Sequence, residues 1–247
     1  MKNNFIVIIP ARFQSSRFPG KPLVDIYSKP MIQRVFEQAE KANPKRIIIA
    51  TDNDQIYSIA SSFCNEVVMT KSSHQSGIER ISEVIETLNI NKDEIIVNLQ
   101  GDEPLIPPEN IIQVASNIKD TIAISTLAYP IEDQKDVSNP NIVKVIKDFN
   151  NKAIYFSRSK IPFNRDNYSN NTYLRHIGLY AYKASYINTY INYPSSILEE
   201  SEKLEQLRAI YYGDKIYVDL ALVEPPIGVD TQEDLENIIR IFKEKNI

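Results

Sequence analysis

Apolar residues in the first half of the chain follow two alternating patterns. Short continuous apolar runs are typical of strands buried on both faces, and apolar residues spaced every three or four positions are typical of amphipathic helices. Strands are predicted at residues 5–9, 46–50, 66–69 and 94–99. Helices are predicted at residues 31–42, 52–63, 78–88 and 108–118. This alternation predicts an α/β fold, with a mostly parallel sheet covered by helices on both faces.

The pattern changes near Thr121. Strand-like runs follow at residues 122–128, 143–146, 153–156 and 177–182, joined by polar loops that contain proline. A helix is then predicted at 201–212, a strand at 215–222, and a closing helix at 231–245 capped by Thr231. At 247 residues we expect a single domain. Residues 1–120 and 213–247 would form its core, and residues 121–212 a smaller α+β insertion.

Composition and charge exclude several classes of protein. The net charge of −4 argues against binding to nucleic acid or to an anionic membrane surface. The longest apolar runs are about five residues, and no signal-peptide pattern begins the chain, so we expect no membrane insertion. Cys64 is the only cysteine, which excludes an internal disulfide and favours the cytoplasm. With only two histidines, a zinc site is disfavoured.

A basic loop, residues 10–22, follows the first predicted strand and carries Arg12, Arg17 and Lys21. Ligands of α/β sheets bind beyond the carboxyl ends of the strands, and cations there favour phosphate. Three charge-assisted hydrogen bonds of roughly 1.5–3 kcal/mol each would hold a triphosphate. Ser15 and Pro22 break the Walker A pattern, and no dinucleotide-binding glycine motif occurs. The alternative, a solvated surface loop, is disfavoured by the strand and prolines that restrain it.

Two acidic turns also follow predicted strands. Asp102 stands after Gly101 at the end of one strand, and Asp230 stands between Gly228 and Thr231 after another. Mg²⁺ takes one or two carboxylates and leaves its other positions to water and phosphate oxygens. Each aspartate also has a simpler interpretation as a helix cap. Together with the basic loop, however, they indicate metal-assisted phosphoryl or nucleotidyl transfer.

Three further segments are candidates for a ligand site, although each alone is compatible with an ordinary structural role. Ser76 and Gly77 stand at a helix N-terminus, which attracts anions. On a predicted strand, Gly178 stands between His176 and Tyr180 on one face and leaves room for a ligand. Glu205 and Gln206 flank the buried stripe of a predicted helix and can face a cleft.

With these motifs in place, the whole chain resembles the 3-deoxy-manno-octulosonate (Kdo) cytidylyltransferases, also called CMP-Kdo synthetases. The matching motifs are PARFQSSRFPGKPL, ATDN, HQSGIER, NLQGDEP, NPNIVKV, YFSRSKIPF, LRHIGLYAY, EKLEQLRAIYYG and GVDTQEDL. The first motif is shared loosely by sugar-nucleotide transferases. The Arg-His-x-Gly-x-Tyr and Leu-Glu-Gln-Leu-Arg segments are more particular to the Kdo enzymes.

The resemblance implies a nucleotide-diphospho-sugar transferase-like fold and a Mg²⁺-dependent reaction of lipopolysaccharide synthesis. The anomeric hydroxyl of Kdo attacks the α-phosphate of CTP directly, giving CMP-Kdo and diphosphate. The family resemblance also implies a homodimer, with residues 121–212 supplying sugar contacts and the dimer interface. Asp102 and Asp230 would bind the Mg²⁺. The residues implied for the triphosphate are Arg12, Ser16, Arg17 and Lys21; for the nucleotide, Ser76, Gly77 and Arg80; and for the sugar acid, Gln100, Arg158, His176, Tyr180, Glu205 and Gln206.

The chain departs from the family pattern at four positions, Ser73, Ile78, Phe163 and Gln232. The first two lie near the expected nucleotide contacts, and none is a proposed metal or sugar ligand. Three alternatives stay open: activation of 8-amino-Kdo, activation of another acidic sugar such as a sialic acid, and a non-catalytic nucleotide-sugar binding protein. The last is disfavoured because Lys21, Asp102 and Asp230 are all present.

Overall fold

The computed structural model of the protein describes residues 2–13, 18–119, 121–166, 172–226 and 228–245. Strands and helices alternate in its first half, as the apolar pattern predicts. The strands are β1 (Asn3–Ala11), β2 (Pro44–Thr51), β3 (Val67–Met69) and β4 (Ile95–Asn98). A 3₁₀ turn at Lys21–Leu23 precedes the helices α1 (Met31–Lys41), α2 (Asp54–Ala60), α3 (Gly77–Thr87) and α4 (Pro108–Ser116).

The second half contains longer irregular connections. Its strands are β5 (Ile124–Pro130), β6 (Lys144–Lys147), β7 (Ala153–Ser157), β8 (Leu174–Lys183) and β9 (Ile216–Leu220). Its helices are α5 (Gln134–Ser138), α6 (Ala184–Tyr190), α7 (Ile197–Glu202), α8 (Leu207–Tyr211) and α9 (Gln232–Lys245). None of the helices in the described parts of the chain has the length and apolar character needed to cross a bilayer.

The strands form one mixed sheet in the order β3-β2-β1-β4-β8-β5-β9, and the β6–β7 hairpin joins it through β8. The pairs β1–β2, β1–β4, β2–β3 and β5–β9 are parallel, whereas β8 runs antiparallel to β4 and β5. β5 and β8 therefore bring residues from 121–212 into the main sheet. The boundaries drawn between core and insertion stay a prediction.

Two apolar layers cover the two faces of this sheet. Along β1, Ile6 and Ile8 pack into one layer, while Phe5, Val7 and Ile9 pack into the other. Each of these five side chains is almost fully buried, which explains why the strand is apolar without alternation. Burial of one such side chain contributes about 1.5–3 kcal/mol, so β1 is a rigid base for the loop that follows it.

The loops after β1 and β4 lie side by side at the carboxyl edge of the sheet. Leu99 donates from its main-chain nitrogen to the carbonyl of Ile8 at 3.1 Å. A Cβ atom on Gly101 would lie 3.0 Å from the Pro10 carbonyl oxygen, so only glycine allows this approach without displacement. The basic loop and the Asp102 turn are thereby held against each other.

The prediction of one helix over residues 201–212 is wrong. Ser196 and Glu199 form a capping box that starts α7 earlier, and Lys203, with φ of 52°, ends it in a left-handed conformation. α8 begins only at Leu207. Glu205 and Gln206 therefore lie in a turn between two short helices and not on a helix face. The cap predicted at Thr231 is confirmed, since its hydroxyl accepts from the Asp234 main-chain nitrogen at 3.2 Å.

Candidate active site

Three oxygen atoms from distant parts of the chain converge on the ammonium group of Lys21. Its Nζ lies 2.5 Å from Oδ2 of Asp102 and 3.3 Å from Oδ1 of Asp230, and it donates to the Val229 carbonyl at 2.8 Å. The lysine side chain is only 13% exposed, so these charge-assisted bonds are weakly screened. The structure thus brings Lys21, Asp102 and Asp230 together.

The donor set around this ammonium fits Mg²⁺. Two carboxylates and a main-chain carbonyl are hard oxygen ligands, and they already surround a positive charge. No group of three or more histidine, cysteine or acidic side chains that could hold a metal occurs in the described residues. Two aspartates are compatible with Mg²⁺, because this ion takes one or two carboxylates and leaves its other positions to water and phosphate oxygens.

Glu103 belongs to the same cluster, although the sequence did not single it out. A Cβ atom on Gly228 would lie 2.9 Å from Oε1 of Glu103, so the carboxyl packs directly on the glycine backbone. Enclosure by protein, followed by repulsion from Asp102, raises the pKa of Glu103 to about 8. Its position directly after Asp102 at a strand end was the only available signal.

A pocket of about 140 Å³ lies beside the loop after β1, and most of the residues predicted to contact the nucleotide line it. Ser76 caps α3 by accepting from the Glu79 main-chain nitrogen at 3.3 Å. Arg80 is 2% exposed and donates to Asp52 at 2.7 Å and to Thr70. The predicted residues in this pocket are Arg12, Ser76, Gly77 and Arg80, joined by Gln100 and Glu205. Ser16 and Arg17 lie outside the described residues.

A second pocket, of about 250 Å³, continues from the first through Gly77, Gln100 and Glu205. It contains five of the six residues predicted for the sugar acid: Gln100, His176, Tyr180, Glu205 and Gln206. The buried hydroxyl of Tyr180 has no hydrogen-bond partner among the described residues. A Cβ atom on Gly178 would meet nothing within 4 Å, so this glycine borders open space, whereas the His176 and Tyr180 rings pack with their centroids 5.3 Å apart.

His176 is held as a neutral ring with a defined tautomer. The Thr126 hydroxyl lies 3.0 Å from Nε2 of His176 and 2.9 Å from the Leu179 carbonyl. The Ile177 carbonyl lies 3.1 Å from the same hydroxyl, and donation to either carbonyl leaves the hydroxyl oxygen to accept from the Nε2 hydrogen. Burial lowers the pKa of His176 to about 3, so the ring is uncharged near neutral pH and its Nδ1 is an acceptor.

A third pocket, of about 260 Å³, shares His176 and Gly178 with the second and reaches Asp102 and Asp230. Arg158, the sixth residue predicted for the sugar acid, lines this pocket. Its guanidinium donates to the main-chain carbonyls of Glu202, Pro140 and Lys203 at 2.7, 3.0 and 3.4 Å. With five N–H groups, arginine keeps donors available beyond these three bonds.

Arg175 also lines the third pocket but was not predicted as a site residue. It donates to the carbonyl of Pro225 at 2.5 Å and lies 5.6 Å from the centre of the Tyr129 ring. This contact joins β8 to the segment that leads towards Asp230. Sequence alternation placed Arg175 on the opposite face from His176, and nothing along the chain indicated the approach of Pro225.

The fold and the site define a nucleotide transferase, and the chain belongs to the cytidylyltransferase family, whose model matches residues 6–216. More narrowly, it belongs to the 3-deoxy-manno-octulosonate cytidylyltransferases. The protein of that name from Aliivibrio fischeri (strain MJ11) is 54% identical over 246 residues, covering 97% of this chain and 99% of the relative. The one from Pasteurella multocida (strain Pm70) is 50% identical over 255 residues, covering 97% and 99%.

Solved structures agree with this assignment. A CMP:2-keto-3-deoxy-manno-octonic acid synthetase complexed with CTP superposes with a TM-score of 0.91 at 36% identity, covering 98% of this chain and all of the other. A 4-diphosphocytidyl-2C-methyl-D-erythritol synthase superposes with a TM-score of 0.65 at 13% identity, covering 98% and 99%, which shows the fold alone. The predicted family and the predicted α/β fold are confirmed.

We expect Glu205 to make the stability of the protein depend on pH. Loss of solvent in the cleft, with repulsion from Glu199, raises the pKa of Glu205 to about 7. The folded protein then binds this proton more tightly than the unfolded chain, so stability falls as pH rises from about 4.5 through 7. Glu205→Gln has no proton to lose. Its gain in Tm over the parent, measured by circular dichroism, should be larger at pH 8 than at pH 5.

The exposed Glu236 on α9 provides the control, because Glu236→Gln changes the same functional group outside the cleft. Its effect on Tm should be similar at the two pH values. If Glu205→Gln also shifted Tm equally at both, the Glu205 carboxyl would not be perturbed by the cleft.

Proposed function

We propose that this protein transfers the cytidylyl group of CTP to Kdo, with release of diphosphate, and so activates the sugar acid for lipopolysaccharide synthesis. One observation carries the proposal. A continuous cleft joins the Arg12 pocket, the His176–Tyr180 pocket and the Asp102–Asp230 cluster through shared lining residues. A nucleotide and an acidic sugar bound in this cleft would meet beside the cationic and acidic groups.

The chemistry needs no covalent intermediate. The anomeric hydroxyl oxygen of the sugar forms a bond to the α-phosphorus and loses its proton. The bond from the α-phosphorus to the oxygen that bridges to the β-phosphate breaks, and diphosphate leaves with the electron pair. Arg12 and Lys21, with Arg17 by the family resemblance, neutralise the triphosphate, and the cleft orients the hydroxyl for attack.

Asp102 and Asp230 are the residues that would hold Mg²⁺. Their carboxylates lie within reach of one cation, as their contacts with the Lys21 ammonium indicate. When bound, Mg²⁺ supplies positive charge to phosphate oxygens and orients the triphosphate. Lys21 has its own role beside them, because its ammonium can donate to phosphate as it donates here to oxygen atoms.

The second pocket supplies the sugar contacts. The Tyr180 hydroxyl lines this pocket and can exchange a hydrogen bond with a sugar hydroxyl. Nδ1 of His176 is an acceptor for another sugar hydroxyl. The remaining N–H groups of Arg158 suit the carboxylate of the sugar acid, because the guanidinium fork matches carboxylate geometry. Gln100, Glu205 and Gln206 complete this set.

A substrate panel tests the proposed reaction. The protein would be mixed with CTP, Mg²⁺ and one of three sugar acids: Kdo, 8-amino-Kdo or a sialic acid. We expect diphosphate release and a CMP-sugar with Kdo. The kcat/KM for Kdo should be at least tenfold above that for the other two acids, because each of them would lose about one polar contact with the site. A preference for 8-amino-Kdo or sialic acid would replace the substrate assignment. No diphosphate release with any acid would favour the non-catalytic alternative.

Asp102→Asn tests the metal site. The substitution keeps the shape of the side chain but removes a charge from the Asp102–Asp230 pair, and we expect kcat to fall on the order of 10²-fold or more. Asp93→Asn is the matched control, because Asp93 is exposed before the opposite end of the same strand, β4. Its kcat should equal that of the parent. Near-normal CMP-Kdo formation by folded Asp102→Asn would contradict the metal assignment.

We also propose that two copies of the chain associate through the middle portion. Three large apolar side chains lie exposed on the β6–β7 hairpin and the loop after it: Phe149 is 100% exposed, Phe163 82% and Ile154 55%. Large apolar side chains left exposed in one portion of a chain are candidates for an interaction surface. A second copy is the occupant that the family resemblance implies.

The double variant Phe149→Asp/Ile154→Asp tests this association by sedimentation velocity. We expect the parent to sediment with twice the mass of the chain and the variant with the mass of a single chain, because charge at a buried apolar contact is costly. Ile112→Asp is the control, since Ile112 is a 38% exposed apolar residue on α4. A parent that sediments as a single chain would refute the dimer.

A cytoplasmic location is a further part of the proposal. Cys64 is buried as a free thiol, which suits a reducing compartment.

A further inference from the structure

Lys144 is a fully buried lysine that the proposed reaction does not use. It lies in β6, and its relative exposure is 0%. Its Nζ donates to the main-chain carbonyls of Ile142, Arg158 and Asn139 at 2.6, 2.8 and 2.9 Å. An ammonium group has three hydrogens, so these three bonds use all of its donors.

A charge in such a position is costly for the fold. Burial lowers the pKa of Lys144, and well-packed apolar side chains often serve the stability of an interior equally well or better. Val145, the next residue of the same strand, is apolar and packs in the core. The role of this buried lysine should therefore lie in the segments that its three hydrogen bonds connect.

Two walls of the third pocket meet at this ammonium. One wall is the turn at residues 139–142 with the start of β6, which brings Asn141, Ile142 and Val143 to the pocket. The other is Arg158, at the end of β7. Lys144 is bonded to the main chain of both, and so it fixes the distance between them.

Arg158 itself spans the same gap. Its Nη1 donates to the Pro140 carbonyl in the turn, and its Nε donates to the Glu202 carbonyl at the end of α7. The Glu202 carboxylate in turn accepts from the Arg158 main-chain nitrogen at 2.9 Å. Any shift of the turn relative to β7 would rotate the guanidinium and move the N–H groups that it presents to the pocket.

We propose that Lys144 is a positioning residue for the sugar acid: it holds the 139–142 turn and the Arg158 main chain in register, so that the Arg158 guanidinium is aimed into the cleft. Lys144 touches neither substrate. The inference rests on the proposed function, since the sugar acid is the ligand whose binding it affects. Nucleotide binding depends on the first pocket, which contains none of these residues.

Lys144→Met tests the inference through the two Michaelis constants. The variant keeps an unbranched apolar stem, one atom shorter than that of lysine, and removes all three donors. We expect the KM for Kdo to rise at least tenfold, while the KM for CTP stays within twofold of the parent. Lys144→Arg, which restores donors, should recover part of the affinity for Kdo.

Lys147→Met is the matched control. Lys147 lies on the same strand and donates to Asn151 and to the Val218 carbonyl, away from the pocket walls. We expect Lys147→Met to leave the ratio of the two KM values within twofold of the parental ratio. Lys144→Gln, with two amide hydrogens, replaces the methionine variant should that variant fail to fold, as judged by circular dichroism.

The outcomes separate the inference from the proposed function. If the parent forms no CMP-Kdo, the proposed function fails and the inference fails with it. If the parent is active and a folded Lys144 variant has the parental KM for Kdo, or raises both KM values equally, only the inference is overturned. If every Lys144 variant unfolds while Lys147→Met folds, the residue is structural and the positioning role is refuted.

Discussion

The arrangement of the site depends on one ammonium group. Lys21 lies in the loop after β1 and bonds to two remote segments. Asp102, in the turn after β4, is 81 residues further along the chain, and Val229, before α9, is 208 residues further along. Without a cation between them, Asp102 and Asp230 would repel each other across a partly buried gap. Gly101 and Gly228 permit this convergence, because a Cβ atom on them would lie 3.0 Å from the Pro10 carbonyl oxygen and 2.9 Å from the Glu103 carboxyl, respectively.

Basic side chains hold the other irregular segments around the cleft in a similar way. Lys144, Arg158 and Arg175 each donate to main-chain carbonyls in loops that contain proline. Such loops lack the regular ladder bonds of a sheet, and proline supplies no N–H, so their carbonyls need donors from elsewhere. These cationic side chains therefore hold the cleft walls in place, in addition to any contact that they make with anionic substrates.

The sequence predicted the features that depend on local pattern. The buried β1 follows from its continuous apolar run, and the cap at Thr231 follows from the residue type that starts the last helix. It missed the break at Lys203, because a left-handed lysine is rare and no residue type signals it. It also missed Glu103 and Arg175, whose roles arise only when Gly228 and Pro225 approach from more than 45 residues away.

The cleft disfavours charge on its own titratable groups. Loss of solvent raises the pKa of Glu103 and Glu205 and lowers that of His176, so each is driven towards its neutral form. CTP and a sugar acid are both anionic, and the same low polarity would oppose their entry. Their charge must therefore be met by cations that line the cleft, such as the guanidinium groups of Arg12, Arg158 and Arg175. Because the net charge of the chain is −4, the attraction for these anions has to come from such local groups.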